Sequence, residues 1–553
     1  MIAIIRVSLR TPSRFSGYAS PLSKALWAGG RCRLGPADLA MGDGYRLETR
    51  GNPRHLMAFL VAGLGSFALF PFKLHSLFSA TPRRWLPLGG SPLLLCMGLA
   101  LLAGCSAAPL PALKPSVPDT WRNLPSDARP AQADLRDWWK ALGDPELDAL
   151  IDRALQNNLD LAQAAERLRA ARILSGHSHD NYLPSLSLRT NDVIDPDTSA
   201  SFFVVGFDAL WELPLFGTWK NSGRVAQGQE NQAAAAMRGA RVSLVAEVTR
   251  RWVELRSAQQ QMRTLTSMRD AQQEKVRLLG VREQLKLSPP AEVARAQAEL
   301  ARAEAVLAEP RQAINNSAQQ LAVLLGQNEP DEAWLQPGAQ PQLGDWQVTK
   351  APGDLLRTRP EIAAAEAEVL RTAGEAGLSH ADVYPHIGIG TSLQWSTNIA
   401  RNHRVHTGEG IFSVGPVIDM PLFDWGQRLA TAHAKDHQLQ AAVLAYRQAV
   451  LQGVAEVEMA MGDLEQLRGR EQFSQSALDS LDQSTDAARK RTELRLGSTL
   501  DLQDSLIEQQ RAQLDLISAR AARDLAYVSL YKALGGAPIA ADKPHETHAA
   551  GKN

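Results

Sequence analysis

The chain has 553 residues, of which 44% are hydrophobic and 21% charged, with 59 basic and 59 acidic side chains and a formal net charge of zero. The charge balance excludes a general polyanion binder, which carries a basic excess. The apolar content excludes a wholly disordered chain. Three cysteines cannot build a disulfide framework, no apolar run reaches the roughly 18 residues of a membrane-spanning helix, and a composition rich in Ala, Gln, Leu and Arg points to long helices.

Residues 1–104 read as a leader. Arg83-Arg84 supplies a positive region, Leu93 to Leu102 an apolar one, and Leu102-Ala103-Gly104-Cys105 a lipobox, in which a peptidase cuts before a cysteine whose thiol has received a lipid. Cys105 is therefore the expected lipidation site. Ser106 after it is compatible, as in bacterial lipoproteins, with passage to the outer membrane. So late a signal implies a translation start downstream of Met1. Residues 105–136 form an extended, lipid-anchored tether carrying Pro109, Pro111, Pro115, Pro118 and Pro125. Cys32 and Cys96 precede the cut, so the mature chain holds no free thiol. The leader carries 12 basic and 3 acidic residues, leaving 47 basic and 56 acidic in the mature part, an acidic bias that would tint a lumen.

The rest is a duplication, with repeats expected over 137–326 and 359–536, a linker at 327–358 forming part of a belt around the helices, and a disordered tail at 537–553. Leu183-Pro184-Ser185-Leu186 matches Tyr384-Pro385-His386-Ile387. Trp211-Glu212-Leu213-Pro214-Leu215-Phe216-Gly217 matches Ile418-Asp419-Met420-Pro421-Leu422-Phe423-Asp424. Leu287 to Glu292 matches Leu496 to Asp501. A single large unit, not a solenoid, is repeated.

In chain order, Leu147 to Leu174 reads as a helix begun by Asp144 as cap and Pro145 in the first turn. Strands are expected at about 184–190 and 202–212, and again near 385–395 and 410–420. Phe203, Val205, Phe207, Ala209 and Trp211 alternate with Val204, Gly206, Asp208 and Leu210; Phe412, Val414, Ile418 and Met420 share a face. Their length suits tilted transmembrane strands. No proline occurs between Pro214 and Pro289 or between Pro421 and Pro538. The first stretch predicts a helix of about 65 residues, about 100 Å long, with Leu244, Val245, Val248, Trp252 and Leu255 as its stripe. Shorter helices return over about 291–325 and 501–534, the first kinked by Pro310.

Four strands cannot close a barrel, and open edges are forbidden in lipid. Three chains would supply twelve strands and twelve helices. The expected fold is mainly α with membrane β: a trimeric 12-stranded β-barrel, four strands per chain, continued by a long α-helical barrel.

These residues resemble the TolC-like outer-membrane factor family, in the lipoprotein branch that serves tripartite efflux systems of the RND type. The likeness runs from Asp137 to Gly536. It rests on Trp138-Trp139 with Asp144-Pro145, Asn158-Leu159-Asp160-Leu161, Leu183-Pro184, Trp211-Glu212-Leu213 with Leu215-Phe216-Gly217, Arg359-Pro360-Glu361-Ile362, and Gly415-Pro416 with Pro421-Leu422-Phe423-Asp424 and Gly426. The resemblance implies a homotrimeric passive duct that exports small toxic molecules and performs no covalent chemistry. It implies partnership with a periplasmic adaptor and an inner-membrane transporter, and no nucleic acid. The family's gate at the helical turns maps to Asp501, Asp504 and Glu292, with Arg491 and Arg495 as candidate bridges across the ring. Asp501 alternatively caps the returning helix. Lys286, Ser288, Pro289, Gly497 and Ser498 are the adaptor-docking candidates. Lys286 and Arg495 stand where the family commonly has glycine.

His177-Ser178-His179-Asp180 has metal-like residue types, but the spacing places no third ligand, and a polar boundary is the preferred reading. His403 and His406 fall in an expected external loop. No phosphate loop, nucleophile elbow or paired-carboxylate motif occurs, so neither cofactor nor metal is expected. A lipid-anchored periplasmic coiled-coil scaffold or adaptor without a pore is the alternative; it leaves the repeated strands unexplained.

Overall fold

The computed structural model describes residues 108–113, 117–118, 120–123, 135–193, 202–344, 359–398 and 410–536. The leader, Cys105, much of the tether, linker residues 345–358, the loop with His403 and His406, and the tail lie outside them.

A 3₁₀ turn, Trp138–Leu142, precedes α1 (Pro145–Asn157) and α2 (Leu159–Gly176). The helix expected over Leu147–Leu174 is thus two. Asn158 takes extended backbone (φ −66°, ψ 126°), and its side chain accepts from Leu161 N–H. An Asn that can bond the following amides favours a cap over a helix interior. At the start of α1, Asp144 accepts from Glu146 and Leu147 N–H, with Pro145 at the first helical position, as read from the sequence.

Then come β1 (Ser185–Val193), β2 (Phe202–Glu212) and α3 (Thr218–Gln284); α3 has 67 residues, about 100 Å. The chain returns through α4 (Pro290–Val306) and α5 (Ala308–Leu324). They break at Leu307, three residues before Pro310. Pro310 cannot donate to the Val306 carbonyl and its ring crowds that group, which accounts for the expected kink. A four-residue α6 (Glu332–Leu335) buries Trp334. The second half runs α7 (Pro360–Ala381), β3 (His386–Asn398), β4 (Ile411–Asp419), α8 (Gln427–Glu493, again 67 residues) and α9 (Thr499–Ala533).

Each long helix begins behind two successive left-handed residues, Phe216-Gly217 (φ 54° and 79°) and Trp425-Gly426 (φ 58° and 80°). By backbone geometry Gly217 therefore corresponds to Gly426. The matched Pro-Leu-Phe triplets sit two residues out of that register, so the second half carries two extra residues before its long helix. Asp424 accepts from the N–H groups of Arg428 and Gly426. Those backbone bonds, Arg428's first, hold its carboxyl below the usual carboxylate value.

The strands form one antiparallel meander in the order β1-β2-β3-β4, with β1 and β4 as open edges. Register decides its chemistry. Leu188, Phe207, Leu393 and Phe412 lie in one cross-strand row, and Leu186, Ala209, Thr391 and Val414 in the next. The intervening row on the opposite face is Ser187, Asp208, Ser392 and Ser413. The first face is thus mainly apolar and the second mainly polar, with Val204, Leu210 and Ile411 among the exceptions on the second. On the apolar face Leu188, Phe207 and Phe412 are 61, 43 and 66% exposed in the single chain.

The main core lies where α1, the 3₁₀ turn and the end of α9 meet α3. Every residue of the expected stripe (Leu244, Val245, Val248, Trp252, Leu255) is buried there. Trp138 stacks on Tyr531 at 5.3 Å, and Tyr527 Oη donates to Trp138 O at 2.8 Å. Trp252 Nε1 donates to Asp144 Oδ2 at 2.7 Å, so one carboxylate both caps α1 and satisfies a fully buried indole. Arg256 lies over the Trp252 ring at 4.2 Å. The first part of the linker crosses this region: Gln259 Nε2 donates to Trp334 O and Arg263 to Gly338 O, both at 2.7 Å. Small residues let the helices close up. A Cβ on Gly228 of α3 would sit 2.7 Å from the backbone of Arg371 in α7. No helix among the described residues is long and apolar enough to cross a membrane.

Candidate functional site

The two turns that reverse the long helices share one hydrogen-bond register. In the first, Leu285 N–H donates to Val281 O, Lys286 to Glu283 O and Leu287 to Arg282 O; in the second, Leu494 donates to Lys490 O, Arg495 to Thr492 O and Leu496 to Arg491 O. This is the Schellman closure of a helix C-terminus, whose pivotal residue takes left-handed backbone and is usually glycine. Here Lys286 and Arg495 both occupy it, each at φ 60°. Departure from glycine changes the residue without changing the turn, at a cost of about 1–2 kcal/mol each. It also presents a basic side chain between two exposed leucines: Leu285 and Leu287 are 63 and 64% exposed, Leu494 and Leu496 69 and 76%.

The returning helices start differently. Ser498 is the N-cap of α9, its Oγ accepting from Leu500 N–H at 3.1 Å. Pro289 holds the matching position and offers no side-chain acceptor. Ser288, one residue earlier, is buried, and its hydroxyl has no partner among the described residues. The capping reading of Asp501 is corrected: Ser498 caps, and Asp501 lies in the first turn, as Glu292 does in α4. Both carboxylates occupy the third helical position, where the macrodipole favours a negative charge.

The acidic candidates do not meet Arg491 or Arg495 within the chain; neither arginine forms an ion pair among the described residues. Gly497 lies against Arg491, whose Cβ would be 3.2 Å from an added Cβ. Asp504 instead pairs with Lys275 of α3 at 2.8 Å, and Lys275 also reaches Glu299 of α4 at 3.8 Å. Lys275 braces the returning helix of the second half to the long helix of the first. Sequence reading missed it because its partner is in the other half of the chain, and a lone Lys on a Gln- and Arg-rich face carries no signal.

The histidines near the sheet have separate structural partners. His177 Nδ1 meets Asp180 at 2.6 Å, His179 stacks on Trp219 at 4.1 Å, and His380 Nε2 meets Asp436 at 2.9 Å. No group of three metal-ligating side chains occurs among the described residues.

Comparison with known proteins places this geometry. The model of the outer membrane efflux protein family matches residues 150–327 and 351–536, one segment in each half. Outer membrane protein OprJ of Pseudomonas aeruginosa is 28% identical over 470 residues, covering 81% of this chain and 95% of OprJ. The probable outer membrane lipoprotein SilC of Salmonella typhimurium is 26% identical over 458 residues, covering 79% of this chain and 96% of SilC. Among solved structures, the outer-membrane channel OprN superposes with a TM-score of 0.68 at 25% identity, covering 78% of this chain and 99% of that one. With two strands and one 67-residue helix in each half and family matches spanning both, the chain belongs to the outer membrane efflux protein family.

Proposed function

We propose that three copies of this chain close into a 12-stranded barrel continued by a helical tube, as the outer-membrane duct of a tripartite efflux pump. As a family member the chain is an outer-membrane efflux channel; the trimer, the lipid anchor at Cys105 and the site residues are this proposal's own. The observation that carries it is the sheet. Its register sorts most apolar residues to one face and most polar residues to the other, while β1 and β4 keep unpaired backbone. An isolated sheet of this kind cannot stand in lipid, because each free N–H and C=O costs several kcal/mol there. Closure by symmetry turns the exposed row Leu188–Phe207–Leu393–Phe412 towards lipid and the row Ser187–Asp208–Ser392–Ser413 towards a water-filled lumen.

At the far end, Leu285-Lys286-Leu287 and Leu494-Arg495-Leu496 are paired knuckles of one shape, a surface for a periplasmic adaptor that also contacts Ser288, Pro289, Gly497 and Ser498. Asp501, Asp504 and Glu292 form the acidic ring of the gate. Lys275 braces Asp504 from the same chain, and Arg491 and Arg495 are left to contact a neighbouring chain or the adaptor. The cargo is small toxic molecules handed over by an inner-membrane transporter. The test is planar-bilayer recording of purified protein. Discrete conductance steps that are cation-selective, and lose selectivity when Asp501 and Asp504 become Asn, support the duct; no conductance from a properly folded trimer refutes it.

A further inference from the structure

The internal repeat maps the two halves residue by residue. Gly217 and Lys286 bracket α3 with the same left-handed backbone that Gly426 and Arg495 give α8, so each α3 position matches the α8 position 209 residues on. Ahead of the strands, Leu183 N–H donates to Asp180 O as Tyr384 N–H donates to Ala381 O. At that offset of 201 residues, Leu161, Leu168 and Gly176 of α2 fall on Ile362, Val369 and Gly377 of α7. Helix α2 packs on α3 as α7 packs on α8, and α3 packs on α7. The equivalent of that last contact joins α8 to α2, which do not pack together within the chain.

The α3–α7 crossing is close. A Cβ on Gly374 would lie 2.7 Å from Asn221 O, as one on Gly228 would from Arg371 N. Gln232 Nε2 donates to Glu368 Oε2 at 2.6 Å, and Gly239 lies against Pro360. All of these residues are buried or half-buried. Their counterparts pair His437 with Ala170, Ala430 with Ile173, Ala441 with Arg167 and Gln448 with Leu159, and every one of them is exposed. The contrast extends along the helix. Ala235 and Val242, on the same stripe of α3 as Gly228 and Gly239, are 1 and 6% exposed; Leu444 and Leu451, which match them, are 61 and 58% exposed. His437, Ala441, Leu444, Gln448 and Leu451 follow one another at steps of four and three residues, which is one face of a helix. The repeat thus buries this stripe in one half and leaves it bare in the other.

We propose that the bare stripe of α8 seats α2 of a second copy of this chain, in the arrangement that α3 makes with α7 inside one chain. The proposal rests on the trimer reading above and names the surface that holds the trimer together. A second copy is the occupant because the repeat itself supplies the matching face: Leu159 and Ile173 of α2 are 66 and 65% exposed. The seam is not an exact copy of the crossing inside the chain. Gly228 and Gly374 let two backbones touch, whereas His437 and the partner's Ile173 carry side chains that no 2.7 Å gap admits. The helices therefore cross farther apart between chains than within one. Large meets small on both sides of that wider crossing, His437 over the partner's Ala170 and the partner's Ile173 over Ala430, which is how facing layers interlock. Around the tube, a tight crossing built on glycine inside each chain alternates with a wider one at each seam.

The test is the register of cross-linking in the full-length protein. Ile173→Cys with Ala430→Cys, and Leu159→Cys with Gln448→Cys, are the matched pairs. Ile173→Cys with Gln448→Cys, and Leu159→Cys with Ala430→Cys, are the crossed pairs. All four positions are exposed in the single chain, so no replacement opens a core. Ala430 and Gln448 lie about 27 Å apart along α8, and Leu159 and Ile173 about 21 Å apart along α2. A short bismaleimide applied to intact membranes should join chains through the matched pairs at least about tenfold more than through the crossed pairs, because a linker that cannot span its sites joins nothing. Helices α3 and α7 stand between α2 and α8 of one chain, so the products run as dimers and trimers on a denaturing gel. Equal yields from matched and crossed pairs, or matched pairs that stay unlinked in a protein of trimeric native mass, overturn the seam and leave the trimer standing. A monomeric native mass overturns the trimer reading beneath it.

Discussion

Replacing Asp524 by Asn should change how stability depends on pH. Asp524 is 0% exposed at the α8–α9 interface. Its Oδ1 accepts from Arg523 Nη2 at 2.8 Å and Nε at 3.1 Å, while Oδ2 is buried without a partner among the described residues. Arg523 is shared with Glu471, which also takes Arg520 Nε at 3.3 Å. Burial dominates over the attraction of Arg523, and the carboxyl is pushed up from 3.8 to about 7. The folded state therefore keeps a proton that the unfolded chain releases. This group's stabilising contribution is complete below pH 3.8 and is lost as pH rises through about 7. A gap of about three pH units corresponds to about 4 kcal/mol per chain. Asn copies the shape of the protonated acid and does not titrate. Urea titrations in detergent at fixed pH from 4 to 9 should show wild type losing about 4 kcal/mol relative to Asp524→Asn between pH 4 and 7, with no further divergence above pH 8. Parallel curves across that window would refute the reasoning.

Other expectations follow from the same contacts. Asp144→Ala removes a helix cap and orphans the Trp252 indole together, and should cost about 2–4 kcal/mol in denaturant unfolding, with Asp144→Ser regaining about 1 kcal/mol through the cap alone. Lys286→Gly and Arg495→Gly relieve left-handed strain of about 1 kcal/mol; the Leu287 and Leu496 amides should then exchange about fivefold more slowly with solvent, and unchanged exchange would deny the strain. Lys275→Ala and Asp504→Ala each remove an interhelical pair that is partly exposed and worth about 0.2–1 kcal/mol. Either should raise single-channel conductance, and the double variant should match the singles if the two act as one brace.

Local chemistry made much of this fold legible. Proline-free stretches predicted the two 67-residue helices, and the spacing of Leu244, Val248, Trp252 and Leu255 predicted the buried stripe. Asp144-Pro145 marked a helix start because a cap acts within three residues. From sequence alone Asn158 reads as helix interior, since a lone cap residue inside an apolar period looks like any polar position. Strand alternation was visible, but not the pairing of β2 with β3 that joins the halves. At the turns, the replaced glycines were visible as departures; that Lys286 and Arg495 keep glycine's backbone was not. Lys275–Asp504 leaves no trace in the sequence because the partners are separated by more than 200 residues, and no periodicity records such a contact.

Closure of the barrel by three chains is tested most directly by joining its edges. With the mature chain's one cysteine expected to be acylated, single cysteines placed at Ser187 on β1 and Ser413 on β4, with neighbouring positions scanned to allow for register, can be oxidised in intact membranes. The duct predicts covalent species that end at three chains and depend on both edge cysteines. Monomers alone, or a ladder extending beyond three, would contradict it.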